Sequence, residues 1–179
     1  VVSIYDLDNF INGLGGIERA IDNMNWLQNE AKKAGLDGLI VIGGDGSFRG
    51  ARDLSVEGLP TIGIPGTIDN DISCTNYCIG FDTAANTAID CIDKLRDTMQ
   101  SHERCSVVEV MGRNAGYLAM YVGLAVGATA VLVPEEPIDF DRDVIEKIRQ
   151  ARFNGFTHYM IVVAEGAGSA SAIAAKIKD

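Results

Sequence analysis

Residues 36–47 read LDGLIVIGGDGS, a short apolar run that ends in a turn rich in glycine and aspartate. Before this stretch, apolar residues recur at the spacing of one helix face, and Gly35 then provides a typical C-terminal stop. The members of this apolar stripe are Ile17, Ile21, Met24, Leu27 and Ala31. The sequence therefore predicts a helix, a buried strand and a tight turn in succession.

The same alternation of short apolar runs and helical stripes continues along the chain. Further strand-like runs rich in Val and Ile lie at residues 60–64, 106–110, 130–133 and 158–163. Helical stripes lie between them at residues 81–99, 118–125 and 144–148. Continuous apolar strands separated by helices are typical of a parallel sheet covered on both faces. The predicted fold class is α/β, with a doubly wound, mostly parallel sheet and helices on both faces.

Composition and charge restrict the class of partner. Apolar residues make up 47% of the 179 residues and the formal net charge is −10, so nucleic acid and anionic membranes are not expected as partners. The sequence lacks an uncharged apolar run of about 18 residues, which a membrane-spanning helix would need. The four cysteines lack the paired spacing of a zinc site, so we expect reduced, mostly buried thiols in a cytoplasmic protein.

Polar clusters overlap or follow the ends of four predicted strands. They are residues 43–47, 63–71, 111–114 and 165–166. In doubly wound sheets, ligands bind in the crevice beyond the carboxyl ends of the strands. The sequence therefore predicts that the four clusters converge on one edge of a single sheet and form the functional site.

The first cluster, Gly43-Gly44-Asp45-Gly46-Ser47, lies between a strand and a helix. Glycines let the backbone approach phosphate oxygens, and a helix N-terminus supplies N–H donors. Asp45 offers the hard oxygen ligands that Mg²⁺ prefers. The alternative is a tight strand-to-helix turn in which Asp45 or Ser47 caps the helix.

Residues 65–71, PGTIDND, form the second cluster. If this stretch is extended, the side chains of Thr67, Asp69 and Asp71 point to one side. A kinase that acts on an alcohol needs one carboxylate to accept the hydroxyl proton and another to help place Mg²⁺. The alternative is a polar loop that contains Asx-type turns.

Four motifs together resemble bacterial phosphofructokinases in their order and spacing. These motifs are residues 42–47, 63–71, 80–84 and 108–113, and the similarity is essentially continuous from about Ile17 to Glu165. The resemblance implies a phosphofructokinase-like fold and the ATP-dependent phosphorylation of fructose 6-phosphate to fructose 1,6-bisphosphate, the committed step of glycolysis.

The resemblance also implies a role for each matching residue. The nucleotide would be held by Gly44, Asp45, Gly46 and Ser47, with Asp45 and Asp71 serving Mg²⁺. The sugar phosphate would be contacted by Thr67, Ile68, Asp69, Arg104, Met111, Gly112, Arg113 and Glu165. Asp69 would be the proton acceptor, and Thr67 and Arg113 would complete the catalytic set.

Two of these assignments, those of Arg113 and Glu165, have ordinary alternatives in the sequence itself. Arg113 could be a solvated arginine, although Asn114 could cap a helix beginning near Ala115 and place the guanidinium at its N-terminus. Glu165 could be an exposed loop charge. By resemblance, Arg104 reaches the sugar site of a neighbouring subunit, which implies a homotetramer with shared sites.

The phosphoryl donor is indicated by two glycines. By resemblance, pyrophosphate-dependent relatives carry Asp at the position of Gly46 and Lys at that of Gly66. This chain has glycine at both positions, which favours ATP over pyrophosphate.

The sequence departs from the family pattern in several places. A glycine-rich nucleotide loop, a stretch expected between Gly16 and Ile17, and a C-terminal Gly-His-x-Gln-Arg-Gly-Gly motif are absent from the 179 residues. Residues 1–179 are therefore expected to be an incomplete phosphofructokinase domain of a longer, two-lobed protein. A naturally truncated paralogue is the alternative.

Regulation is a further point of departure. Relatives that ADP activates carry a glutamate and two lysines at the positions of Thr129, Asn154 and Phe156, whereas Arg96 matches an effector arginine. The resemblance thus predicts an allosteric enzyme whose usual ADP site is altered.

Two other functions compete with this interpretation. The first is a non-catalytic, nucleotide-binding member of the fold. The presence of Asp45, Thr67, Asp69, Asp71 and Arg113 together argues against it, because such a protein needs no catalytic base. A lipid or NAD kinase would explain the glycine-aspartate-glycine turn but not residues 63–71.

Overall fold

The computed structural model describes the backbone of residues 17–178 and the side chains of residues 25–178. The chain divides into two compact units between Gly66 and Thr67. None of the helices in the described range combines the length and apolar character needed to cross a membrane. The expected break between Gly16 and Ile17 lies at the edge of the described residues.

The described part of the first unit, residues 17–66, contains two helices and two parallel strands. The elements are α1 (Ile17–Lys33), β1 (Leu39–Gly43), α2 (Asp45–Val56) and β2 (Thr61–Pro65). The strands pair in parallel from Leu39 opposite Thr61 to Gly43 opposite Pro65. Helix α2 packs on one face of this pair, because the Thr61 hydroxyl donates to the Ala51 carbonyl at 2.9 Å and Gly63 lies against the Phe48 ring.

The end of α1 explains why the first strand begins later than predicted. Gly35 has a φ of +67°, its N–H donates to Lys32 at 3.1 Å, and the N–H of Leu36 donates to Ala31 at 2.9 Å. This pair of hydrogen bonds is a Schellman motif, which satisfies the last carbonyls of the helix. Leu36 therefore belongs to the helix cap, and the strand predicted at residues 36–42 is observed at Leu39–Gly43.

The second unit contains a three-stranded parallel sheet in the order β3-β5-β4. Its elements are α3 (Phe81–Ser101), β3 (Cys105–Val110), α4 (Tyr117–Ala125), β4 (Ala130–Leu132), a π-helical turn (Asp141–Ile145), α5 (Glu146–Phe153), β5 (Tyr159–Ala164), a 3₁₀ turn (Glu165–Ala167) and α6 (Ala170–Lys178). Each predicted strand and helix of this unit is present, with small shifts at the ends.

Strand β5 shows why the second unit is covered on both faces. Met160 and Val162 pack in one apolar cluster with buried residues of α3 and α4, including Ile92 and Val122. Ile161 and Val163 belong to a second cluster on the opposite face, which contains residues of the π-helical turn and α6. Alternate side chains of β5 thus pack into two apolar cores, one on each face of the sheet. The predicted doubly wound α/β fold is confirmed.

The prediction that the four polar clusters lie at one edge of a single sheet is wrong. The described strands pair as two sheets, so the polar clusters do not follow the strands of a single sheet. The clusters at residues 43–47 and 63–71 follow the first sheet, and those at residues 111–114 and 165–166 follow the second. The apolar runs indicate strands but do not indicate their partners, because pairing depends on contacts distant in sequence.

The cysteines also differ from expectation. All four are free thiols, as predicted, but Cys74, Cys91 and Cys105 are exposed and only Cys78 is buried. Cys74 lies in a polar loop before α3, and Cys91 lies on the solvent side of that helix. The prediction of mostly buried thiols is therefore wrong.

Candidate active site

The turn between β1 and α2 presents a helix N-terminus. Gly44 has an extended backbone, and its carbonyl accepts the first helical hydrogen bond from the N–H of Phe48 at 3.0 Å. The N–H groups of the first turn have no helical acceptor, which is the arrangement that binds anions. No side chain caps this helix, so the alternative in which Asp45 or Ser47 is the cap is wrong.

The close packing of this turn requires glycine. A Cβ atom on Gly43 would overlap the side chain of Ser47. The N–H of Gly66, at the end of β2, donates to the Gly43 carbonyl at 2.9 Å. Both glycine turns of the first unit therefore meet at the carboxyl ends of its two strands.

Asp45 forms an exposed ion pair with Arg49, one helical turn further on. Nη2 of Arg49 lies 2.8 Å from Oδ2 of Asp45, and Nε donates to Oδ1 at 3.3 Å. Exposed pairs at this spacing contribute only about 0.3–0.5 kcal/mol. Binding of a cation by the Asp45 carboxylate would therefore displace Arg49 at little cost.

The donor set for a metal is sparse in the described part of the chain. No group of three or more His, Cys, Asp or Glu residues there is arranged to hold a metal ion. Mg²⁺ is commonly held by one or two carboxylates together with phosphate oxygens and water. The carboxylates of Asp45 in the first unit and of Asp71 in the second are each accessible, and each by itself suits this type of binding.

The loop that follows Gly66 is not extended. The N–H of Asp69 donates to the Thr67 hydroxyl at 3.2 Å, and Asn70 has a φ of +54°. The strand-like alternation that would align Thr67, Asp69 and Asp71 on one side therefore does not occur, and the alternative of a polar loop with turns applies. The loop contains the turn hydrogen bonds that its Thr, Asp and Asn residues favour.

Several charged groups nevertheless surround Asp69. Partial burial is the largest cause that raises the pKa of its carboxyl above 3.8, and the charges of Asp71 and Glu165 raise it further. Arg113 has the opposite, smaller effect on the pKa. The structure therefore brings together four of the predicted residues, although Glu165 is 96 positions after Asp69 in the chain.

Glu165 fixes the loop that carries Arg113. Its Oε1 atom accepts the N–H of Gly112 at 3.3 Å and also the N–H of Arg113. Both residues have positive φ angles, +145° for Gly112 and +54° for Arg113, so a specific backbone shape is held in place. Although Glu165 is exposed, it accepts these two backbone N–H groups and is therefore not simply a solvated loop charge.

The helix after this loop starts later than predicted. Helix α4 begins at Tyr117, and Asn114 does not cap it. Instead, Oε1 of Glu135 accepts the N–H of Gly116 at 2.7 Å. A carboxylate at a helix N-terminus is favourable for both hydrogen bonding and the helix dipole. No sequence motif pointed to Glu135, because it lies 19 residues from the group it contacts.

The remaining predicted residues occupy different environments. Ile68 is partly buried and packs against the core of the second unit, whereas Met111 is exposed after β3. Arg104 connects α3 to β3, with its N–H bonded to Met99 at 3.1 Å. Its side chain forms no ion pair with any residue between 25 and 178.

The residues predicted for an altered effector site line one cavity. Arg96, Thr129, Asn154 and Phe156 surround a space of about 500 Å³ in the second unit. Nδ1 of His158, which also lines it, is buried and lacks a hydrogen-bond partner among the described residues. The structure thus brings the four sequence positions together around one cavity.

Gly166 is expected to be essential for the packing of the two loops that follow β3 and β5. A Cβ atom there would overlap the carbonyl oxygen of Arg113 and lie 3.2 Å from Cα of Asn114. We expect Gly166→Ala to lower the free energy of unfolding by about 1–3 kcal/mol, because backbone atoms must move. Chemical denaturation should measure this loss, with the exposed Gln150→Ala as a control. A loss below about 0.5 kcal/mol would contradict the overlap.

Comparison of the sequence with known families identifies the class of protein. The family model described as Phosphofructokinase matches residues 16–179. The chain belongs to the phosphofructokinase family, in agreement with the resemblance of its motifs.

Curated relatives are close in sequence but longer. ATP-dependent 6-phosphofructokinase 1 of Clostridium perfringens is 51% identical over 180 residues, which cover 96% of this chain and 56% of the relative. ATP-dependent 6-phosphofructokinase of Brevibacillus brevis is 57% identical over 142 residues, covering 79% of this chain and 44% of the relative. The chain thus spans about half the length of these relatives.

Solved structures share the fold. The phosphofructokinase of Saccharomyces cerevisiae matches 89% of this chain and 26% of its own, with a TM-score of 0.79 and 30% identity. A pyrophosphate-dependent phosphofructokinase from Marinobacter aquaeolei matches 86% of this chain and 44% of its own, with a TM-score of 0.73 and 25% identity.

Proposed function

We propose that the full-length protein transfers the γ-phosphoryl group of ATP to fructose 6-phosphate and forms fructose 1,6-bisphosphate, in glycolysis. The observation that carries the proposal is the group of charges around Asp69, in a chain of this family. A carboxylate with a raised pKa that remains partly accessible is suited to accept a proton from an alcohol. The relatives named as ATP-dependent enzymes are more than 50% identical to the chain.

The proposed chemistry assigns a role to each part of the site. Asp69 accepts the proton of the sugar 1-hydroxyl as its oxygen attacks the γ-phosphorus and ADP leaves. Arg113, held by Glu165, stabilises the negative charge of the transferring phosphoryl group, and Thr67 keeps the backbone of Asp69 in place. Sugar contacts are assigned to Thr67, Ile68, Asp69, Arg104, Met111, Gly112, Arg113 and Glu165.

The nucleotide is assigned to the first glycine turn. The free N–H groups at the start of α2 suit phosphate oxygens, and Gly44, Asp45, Gly46 and Ser47 are the proposed contacts. Asp45 and Asp71 are the proposed carboxylate ligands of Mg²⁺. The metal would neutralise phosphate charge as the bond to the leaving group breaks.

Assembly, location and regulation complete the proposal. A cytoplasmic homotetramer is proposed, in which Arg104 completes the sugar site of a neighbouring subunit. The cavity at Arg96 is proposed as the effector site. Thr129 and Phe156 there lack the charge that a nucleotide with its metal would need, so ADP is not the proposed effector.

Donor choice is the direct test of this function. With fructose 6-phosphate and Mg²⁺, we expect steady turnover of the full-length protein with ATP and little with pyrophosphate. The reason is that Gly46 leaves room for the α-phosphate, while Gly66 lacks the lysine charge that would favour pyrophosphate. Gly46→Asp should raise the KM for ATP at least about tenfold, since like charges about 4 Å apart repel by up to about 4 kcal/mol before screening.

Gly46→Asn is the matched control, because it adds similar bulk without charge. If both variants raise the KM for ATP equally, size rather than charge decides donor choice. Comparable rates with pyrophosphate and ATP in the unmodified protein would overturn the proposed donor. An absence of phosphorylated sugar with both donors would overturn the proposed function.

A further inference from the structure

Asn70 has an unusual backbone conformation between the two loop carboxylates. Its φ of +54° places it in the left-handed region, which asparagine adopts more readily than most residues with a side chain. Asp69 precedes it and Asp71 follows it, so its conformation determines the directions in which both carboxylates leave the chain. None of the motif arguments from the sequence gave this residue a role.

The side chain of Asn70 closes the loop that leads to α3. Oδ1 accepts the N–H of Cys78 at 2.8 Å, and Nδ2 donates to the carbonyl of Asn76 at 3.2 Å. Both polar atoms of the Asn70 amide are therefore hydrogen-bonded, to residues that lie six and eight positions further along the chain. A side chain with only an acceptor or only a donor could not make both bonds.

The loop is in turn anchored in the core. The carbonyl of Cys78, which is buried, accepts the N–H of Phe81 at 3.2 Å. Phe81 begins α3 and is 3% exposed within the main apolar cluster. Asn70 is therefore connected through two hydrogen bonds in succession to the apolar core of the second unit.

We propose that Asn70 is a positioning residue, which holds the Asp69 carboxylate in the geometry needed to accept the substrate proton. This inference rests on the proposed function. Thr67 fixes the backbone of Asp69 on one side, through its hydroxyl, and Asn70 fixes it on the other. Proton transfer requires hydrogen-bond distance between base and hydroxyl, and a displacement of about 1 Å can cost about 10²-fold in rate.

An amide is better suited to this place than a carboxylate. An aspartate at position 70 could still accept the N–H of Cys78, but it could not donate to the carbonyl of Asn76. Only the amide supplies both hydrogen bonds that close the loop.

The first test is Asn70→Gly in the full-length protein. Glycine adopts a positive φ without strain, so this variant removes the two side-chain bonds and keeps the backbone shape. We expect kcat to fall about 10- to 100-fold while the KM for ATP stays within about twofold. Asn76→Ala is the matched control, because it removes an exposed amide of the same loop and keeps the carbonyl that Asn70 contacts.

The second test is Asn70→Asp, measured at the pH where the unmodified protein is fastest. Its carboxylate can still accept the N–H of Cys78 but cannot donate to the carbonyl of Asn76, so the loop keeps one of its two side-chain bonds. We expect kcat to fall more than about twofold but less than in Asn70→Gly. If Asn70→Gly does not fold, this variant decides: a kcat within about twofold of the unmodified protein overturns positioning.

Three outcomes would overturn the proposal. A kcat of Asn70→Gly within about twofold of the unmodified protein would exclude a positioning role, as would an equal loss in Asn76→Ala. A loss that disappears below the melting temperature of the variant would reveal a role in stability alone. Inactivity of the unmodified protein would instead refute the proposed function, so the two failures are distinguishable.

Discussion

Replacement of Asp69 by serine in the full-length protein is expected to lower kcat by about 10²–10⁴-fold, the usual cost of losing a positioned base. The KM for fructose 6-phosphate should stay within a few-fold, because Arg113 and its loop are held by Glu165 independently of the Asp69 carboxylate. Steady-state kinetics at saturating ATP measures both constants. A kcat within threefold of the unmodified protein would remove Asp69 from the role of base.

The pH dependence provides a second measurement on the same variant. Burial and the charges of Asp71 and Glu165 raise the pKa of Asp69 above 3.8, and only the ionised carboxylate can accept a proton. The rate of the unmodified protein should therefore fall as pH decreases through this raised value. This decrease in rate at low pH should be absent in Asp69→Ser. Asp82→Ser, which removes an exposed carboxylate in the first turn of α3, is the control and should still show the decrease.

The fold was predictable because its signals are local. Apolar runs bounded by glycine turns indicated each of the five strands within residues 17–178, and helical stripes indicated the helices between them. The stop at Gly35 was predictable for the same reason, since a left-handed cap is a property of a few adjacent residues. The division into two sheets was not predictable, because strand partners are chosen by contacts that no short window contains.

The geometry of the candidate site was also not predictable from local sequence signals. The motifs indicated which residues to examine, but the geometry that joins them comes from side chains far away in the sequence. Glu165 reaches the Arg113 loop across 52 positions, and Glu135 replaces the predicted cap at Asn114. The alternation argument for Thr67, Asp69 and Asp71 applies to an extended loop and gives Asn70 no role, whereas the role proposed for Asn70 depends on its positive φ.

Arg104→Ala is expected to raise the KM for fructose 6-phosphate about 10- to 150-fold, because a charge-assisted contact contributes about 1.5–3 kcal/mol. Two backbone hydrogen bonds hold this residue, from its N–H to Met99 and from the N–H of Tyr159 to its carbonyl, both at 3.1 Å. Its exposed guanidinium has no ion-pair partner among residues 25–178, so it is available to a phosphate. Arg152→Ala, also exposed and without an ion pair in that range, should change the binding free energy by less than about 0.5 kcal/mol.

Mixed assemblies test whether Arg104 acts in the sugar site of a neighbouring subunit. Assemblies of Arg104→Ala alone and of Asp69→Ser alone should both be poorly active at low fructose 6-phosphate. In a mixed assembly, a site that takes Asp69 from one variant and Arg104 from the other is complete, so part of the activity should return. Subunit exchange has to be verified with differently tagged chains before the rates are compared. If exchange occurs and activity does not return, each site is built from one chain, because a shared site would contain both intact residues at some interfaces.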